Sequence, residues 1–193
     1  EVLSNAQDNY FRSQGTDTPL KSIKVTVDKE SGEITVWNDG QWISNTFHEW
    51  SAEEEVIESN KKYYEAEIIF GQLNSSSNYD DNANNRVGGG LHGVGVKLTN
   101  IFSKRFAVET VDPTTGTKLI CKWSDNMSDN HERKITSFKS AKKGYTKITY
   151  TADFTRFGID GYSDDHVAVI RKLCIDCAMV TGQKIIFNDQ TIS

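Results

Sequence analysis

Glu1, Asn5 and Asp8 stand at i, i+4 and i+7 of an opening stretch without helix breakers, so on a helix their side chains share one face. Val2, Leu3 and Ala6 point elsewhere. A carboxylate and a carboxamide aligned in this way suit one task. The acid polarises a water, and the amide oxygen ligates a hard cation such as Mg²⁺ beside phosphate oxygens. A second constellation is Gly88-Gly89-Gly90-Leu91-His92-Gly93, which satisfies G-x-G-x-x-G. That fingerprint reads as dinucleotide binding only behind a buried parallel strand, and a polar loop, Ser75 to Asp81, precedes it here. What remains is a glycine-rich loop opening a helix near Val94, whose bare amides suit a polyphosphate.

The elements that must bring these groups together follow from periodicity. After the opening helix, residues 12–21 are polar with Gly15 and Pro19 and read as a loop. Ile23, Val25 and Val27, then Ile34 and Val36, alternate with polar residues around Glu30-Ser31-Gly32, which predicts a hairpin. Ser51-Ala52-Glu53-Glu54 has the pattern of a capping box and opens an acidic helix toward Asn60. Residues 64–73 read as a second helical stretch, 74–85 as a polar loop, and 94–102 as a short helix. Strands are predicted at 106–111 and 118–123 around a turn at Asp112-Pro113, and a strand pair at 135–138 and 145–151. Ser163-Asp164-Asp165 starts a long helix through Met179, with acids at its positive end. Lys184–Phe187 closes as a strand before an Asn188-Asp189 turn. Segregated elements of this kind specify an α+β, two-layer sandwich: a mostly antiparallel or mixed sheet with helices on one face.

The 193 residues carry 22 basic and 27 acidic side chains, a formal charge of −5. That fits one domain and argues against a chain devoted to gripping phosphate backbone. No apolar run approaches the roughly 20 residues of a spanning helix, and no secretory signal is visible. Three cysteines, Cys121, Cys174 and Cys177, suit a reducing, intracellular compartment, and the Cys174-x-x-Cys177 spacing reads as two thiols on a packed helix face. Arg133, Lys134, Lys139, Lys142, Lys143 and Lys147 gather positive charge around the 135–151 strand pair.

Several motifs occur in a fixed order: Glu1-x-x-x-Asn5-Ala6-x-Asp8-Asn9, Trp37-Asn38-Asp39-Gly40, Ile69-Phe70-Gly71-Gln72-Leu73, Ser76-Ser77-Asn78-Tyr79-Asp80-Asp81 and Gly89-Gly90-x-x-Gly93-x-Gly95-x-Lys97-Leu98. In these the chain resembles the ATPase domain of eukaryotic-type type II DNA topoisomerases, within the superfamily of gyrase, Hsp90, histidine kinases and MutL. Asn100-Ile101-Phe102-Ser103, Trp123-x-x-Asn126-Met127 and Thr155-Arg156-Phe157-Gly158 extend the likeness along the whole chain.

The resemblance implies the ATP-binding Bergerat fold and a set of roles. Glu1 would be the general base that orients water on the γ-phosphate, and Asn5 the Mg²⁺ ligand. Asn38 would hydrogen-bond adenine, while Ser76, Ser77 and Asn78 hold ribose and phosphate. Gly90, Leu91, His92, Gly93, Val94, Gly95, Val96 and Lys97 would form the lid, with backbone amides and the Lys97 ammonium on the phosphates. Asp8 and Asn9 would line the same pocket. The cofactors implied are ATP and Mg²⁺. In the full-length enzyme a homodimer would close around DNA, in the nucleus if the source is eukaryotic and otherwise in the cytoplasm or with a virus. Residues 1–193 would be a single ATPase domain without the N-terminal strap and the transducer domain, and on its own a slow, monomeric hydrolase. A nucleotide-gated clamp without significant turnover is the alternative.

Two departures stand out. The family's Gly-x-Gly-Ile-Pro is replaced after Gly40 by Gln41-Trp42-Ile43-Ser44, and a tryptophan there should crowd the adenine pocket unless its loop moves aside. Residues 45–62 read as an inserted acidic segment. The lid looks more gyrase-like than animal-like, a mixture pointing to a viral or divergent microbial source.

Overall fold

The computed structural model describes residues 1–49, 62–72, 94–128, 131–139 and 143–192. Helix α1 (Val2–Ser13) leads to strands β1 (Ser22–Asp28) and β2 (Glu33–Asn38). Short strands β3 (Phe47–Glu49) and β4 (Lys62–Tyr64) pair with each other, and α2 (Glu65–Gly71) follows at once. Then come α3 (Gly95–Ile101), β5 (Ser103–Asp112), β6 (Thr117–Ser124), β7 (His131–Ser137) and β8 (Tyr145–Ala152). A 3₁₀ turn (Phe154–Phe157), α4 (Asp164–Thr181), β9 (Lys184–Phe187) and β10 (Gln190–Ile192) complete the described chain.

Eight strands form one sheet in the order β10-β9-β1-β2-β8-β5-β6-β7. Every pairing is antiparallel except β1 with β9, so the sheet is mixed. Strict alternation sorts its two faces. Ile23, Val25, Val27, Ile34, Val36, Phe106, Val108, Leu119, Cys121 and Ile148 point to one side and join a single core with Val2 and Ala6 of α1, Ala66 and Phe70 of α2, Val96 of α3 and Cys174, Cys177 and Ala178 of α4. Phe106 sits at its centre, with ring centroids 5.9 Å from Phe70, 6.0 Å from Trp123 and 6.3 Å from Tyr150. Burying such a side chain contributes about 1.5–3 kcal/mol. The opposite face carries Lys24, Thr35, Trp37, Lys147 and Thr149, and no described helix covers it. The α+β sandwich with helices on one face is the architecture that segregated patterning predicts.

Local chemistry sets the ends of α4. The Ser163 hydroxyl accepts from the His166 N–H at 3.2 Å, and Gly182 closes the helix in the left-handed region. Three expectations need correction. Residues 135–138 and 145–151 do not pair: β7 lies against β6, while β8 lies between β2 and β5. The long β5–β6 hairpin separates them. The predicted 64–73 helix is shorter, because Tyr64 closes β4 and serves as the N-cap of α2. The 45–62 segment begins on a packed residue. Asn45 is buried, donating from its backbone to Asp112 Oδ2 at 2.9 Å and accepting from Thr110 Oγ1 at 2.5 Å. The acidic helix predicted from Ser51 toward Asn60 lies outside the described residues. Finally, the basic cluster is divided. Arg133 turns toward the core side and pairs with Glu67 at 3.2 Å, Lys134 belongs to the opposite face, and Lys147 is on a strand that β7 does not touch.

Candidate functional site

The first turn of α1 meets the first turn of α3. A Cβ built on Gly95 would overlap the Glu1 carboxylate, so glycine is required for the acid to lie where it does. The two residues are 94 positions apart in sequence. Asn5, one turn along α1 from Glu1, is half-buried, and its N–H donates to the Glu1 carbonyl at 2.9 Å. Asp8 is half-buried, and Asn9, on the same helix, is buried. Asn9 Nδ2 donates to the Gln41 carbonyl at 2.7 Å, which ties α1 to the loop after β2. Its Oδ1 is buried with no hydrogen-bond partner among the described residues. An acceptor left in that condition costs about 1–3 kcal/mol unless something donates to it.

The loop after β2 is itself braced. Asn38 is buried at the end of the strand and its Nδ2 donates to the Asp39 carbonyl at 2.9 Å. Asp39 Oδ1 accepts from the Lys21 and Ser22 N–H groups at 2.8 and 2.9 Å, closing the turn on the start of β1. Trp42 does not stand free in this region: its indole lies on the backbone of Gly144, where a Cβ would overlap the ring. The loop thus carries the tryptophan to the approach to β8.

On the lid side, Val94 is exposed, Val96 is buried and Lys97 is 1% exposed. Burial pushes the Lys97 ammonium below its ordinary value. Asn100 Nδ2 donates to the Phe70 carbonyl at 3.0 Å, joining α3 to the end of α2. Those two helices flank residues 73–93, and Ser76, Ser77, Asn78, Gly90, Leu91, His92 and Gly93 lie outside the described residues. Of the predicted site, the geometry brings Glu1 against Gly95, with Asn5, Asp8 and Asn9 further along the same helix, Asn38 at the end of the strand before the loop that Asn9 holds, and Val96 and Lys97 buried in α3.

Sequence reasoning missed several supports. Asn100, Trp42 on Gly144 and the Asn9–Gln41 bond each depend on a partner at least 30 residues away. The one available signal was a polar asparagine on the apolar face of α3. Also missed was Glu67, 2% exposed, whose Oε2 accepts from the Tyr64 N–H at 2.7 Å and from Arg133 at 3.2 Å. Burial raises its pKa, but His131, the Tyr64 N–H and Arg133 together hold the carboxyl below its ordinary value. Burial pushes the thiols of Cys121 and Cys174 up to about 12 and that of Cys177 to about 11, so none is a ready nucleophile.

No protein-family model matches the chain. It is 41% identical over 192 residues to the DNA topoisomerase 2 of Acanthamoeba polyphaga mimivirus, covering all of this chain and 14% of that protein. It superposes on the solved ATPase region of Saccharomyces cerevisiae topoisomerase II with a TM-score of 0.86 and 38% identity, over all of this chain and 47% of the other. The chain belongs to the type II DNA topoisomerases, in their ATPase region. The fold extends further: the 43K ATPase domain of Thermus thermophilus gyrase B matches 98% of the chain and 42% of its own with a TM-score of 0.66 at 20% identity. The chain spans about a seventh of the length of that viral topoisomerase.

Proposed function

We propose that this chain binds and hydrolyses ATP, and that in a longer topoisomerase its nucleotide-driven closure against a second copy powers passage of one DNA segment through another. The observation that supports this most directly is the contact of Glu1 with Gly95, which puts a carboxylate at the entry of the lid helix. In this reading Glu1 is the general base: its carboxylate accepts a proton from the attacking water and orients it. Asn5, half-buried one turn along, offers a neutral amide oxygen, a donor suited to a cation that keeps most of its ligands as water and phosphate. Mg²⁺, when bound there, neutralises charge on the phosphate oxygens. Asn38 is assigned to adenine, Ser76, Ser77 and Asn78 to ribose and phosphate, and Gly90–Lys97 to the phosphates. DNA contact, dimerisation and work in the compartment where DNA resides belong to the longer protein, with this part a single nucleotide-binding unit.

Glu1→Gln tests the assignment. It should lower ATP turnover by about 10²–10⁴-fold, the usual contribution of a positioned base, while binding of a non-hydrolysable analogue persists. If turnover survives, Glu1 is not the base. If wild-type binds nucleotide without measurable turnover, the clamp reading replaces it.

A further inference from the structure

Glu67, Cys121 and His131 present one carboxylate oxygen, one thiol sulfur and one imidazole nitrogen, all within 4.8 Å of one another. They come from α2, β6 and β7, on the core side of the sheet near its β7 edge. Glu67 and Cys121 are 2% and 0% exposed, and His131 covers them from the rim. None takes part in the nucleotide site described above.

We propose that these three side chains bind a divalent transition ion of the zinc class. Two observations support this independently. First, the two oxygens of Glu67 are not equivalent. Oε2 is held by the Tyr64 N–H and Arg133, as ligating carboxylates are usually held from behind. Oε1 is buried and faces His131 Nε2 at 3.0 Å, so the carboxylate oxygen and the imidazole nitrogen converge on one point. An oxygen and a nitrogen on one tetrahedral zinc, each about 2.0–2.1 Å from it, stand about 3.3 Å apart. Second, the imidazole is oriented by packing. His131 stacks on its cross-strand neighbour Trp123, with centroids 5.0 Å apart and planes 29° from parallel.

The donor set is the borderline-soft mixture of sulfur, nitrogen and oxygen that zinc accepts and magnesium does not. Three protein ligands leave a fourth position for water. Binding releases the Cys121 thiol proton to solvent, so the sulfur coordinates as thiolate. The Arg133 guanidinium stays on Oε2 and offsets part of the added negative charge. Such an ion would join α2 to the edge strands β6 and β7, independently of ATP turnover.

The probe is Co²⁺ added to the intact, reduced chain, followed by Zn²⁺. The expected result is one equivalent of bound cobalt with a thiolate-to-metal charge-transfer band in the near ultraviolet, displaced by Zn²⁺ and unaffected by excess Mg²⁺. Cys121→Ser should abolish the band, and His131→Gln should weaken binding at least about tenfold. A Cys174→Ser, Cys177→Ser double variant should retain the band. His131 is at the rim, so His131→Gln keeps the test alive if Cys121→Ser fails to fold. A wild-type chain without a thiolate band leaves only an ion pair of Glu67 with His131 and Arg133 and overturns the proposal. A band that survives both Cys121→Ser and His131→Gln does the same.

Discussion

Asn9 Nδ2 and the Gln41 carbonyl meet at 2.7 Å, joining α1 to the loop that follows β2. The bond fixes the distance between the helix bearing Glu1 and Asn5 and the turn bearing Asn38. Asn9→Ala removes the donor and leaves the Gln41 carbonyl to find water. Stability should fall by about 1–3 kcal/mol, read by denaturant unfolding. Affinity for an ATP analogue should weaken by about tenfold, equivalent to about 1.4 kcal/mol. An unchanged affinity would separate this strut from the nucleotide site.

Gly95→Ala isolates the Glu1–Gly95 contact from general destabilisation. Alanine is a better helix former by about 1 kcal/mol, so the melting temperature should hold or rise. The new methyl must displace the Glu1 carboxylate. Turnover should fall by about 10²-fold while the fold stays intact by circular dichroism. Full activity in this variant would show that the acid works from another position.

Lys97 is buried and burial disfavours its charge. Lys97→Met keeps the length of the side chain and removes its charge. Binding of nucleotide triphosphate, measured by calorimetry, should weaken by about tenfold or more if the ammonium serves the phosphates. Unaltered binding would remove the ammonium from the phosphate site.

Asp112 predicts an acid limb. Desolvation raises its pKa, but the N–H groups of Asn45, Thr115 and Thr114 outweigh that and hold it below the ordinary aspartate value. A carboxylate whose folded pKa is depressed stabilises fully above its unfolded pKa, about 3.9, and loses that contribution as pH falls through the lower folded value. Asp112→Asn should therefore be less stable at neutral pH by about 1–3 kcal/mol, with a flatter loss between about pH 4 and the acid transition. Parallel unfolding curves at pH 7 and pH 3 read both effects.

Much of this architecture was legible where one physical signal dominated. Alternation at Ile23, Val25, Val27, Ile34 and Val36 specifies the β1–β2 hairpin, and the Ser163 cap specifies where α4 begins. β7 was misplaced because every residue from His131 to Ser137 is exposed, so no buried stripe chooses its neighbour. β10 went unread because three residues after the Asn188-Asp189 turn are too few for periodicity. The helix bearing Glu1, Asn5 and Asp8 was evident from spacing, yet its meeting with Gly95 was not, since no local rule places two helix starts 94 residues apart against each other. The resemblance supplied that expectation. The seat of Trp42 on Gly144 escaped even the resemblance, because this chain departs from the family at that loop.

The parallel register of β1 with β9, Ser22 opposite Lys184, has a further consequence for how the molecule comes into being. Translation at about 5–20 residues per second delivers β9 roughly 8–30 s after β1 leaves the ribosome. Until then the hydrogen-bonding edge of β1 that β9 will occupy stands unpaired, open to pairing with a wrong strand or another nascent chain. Completion of this sheet thus waits on a strand made long after β1, and slowed elongation or a premature stop before Lys184 should divert nascent chains to chaperones.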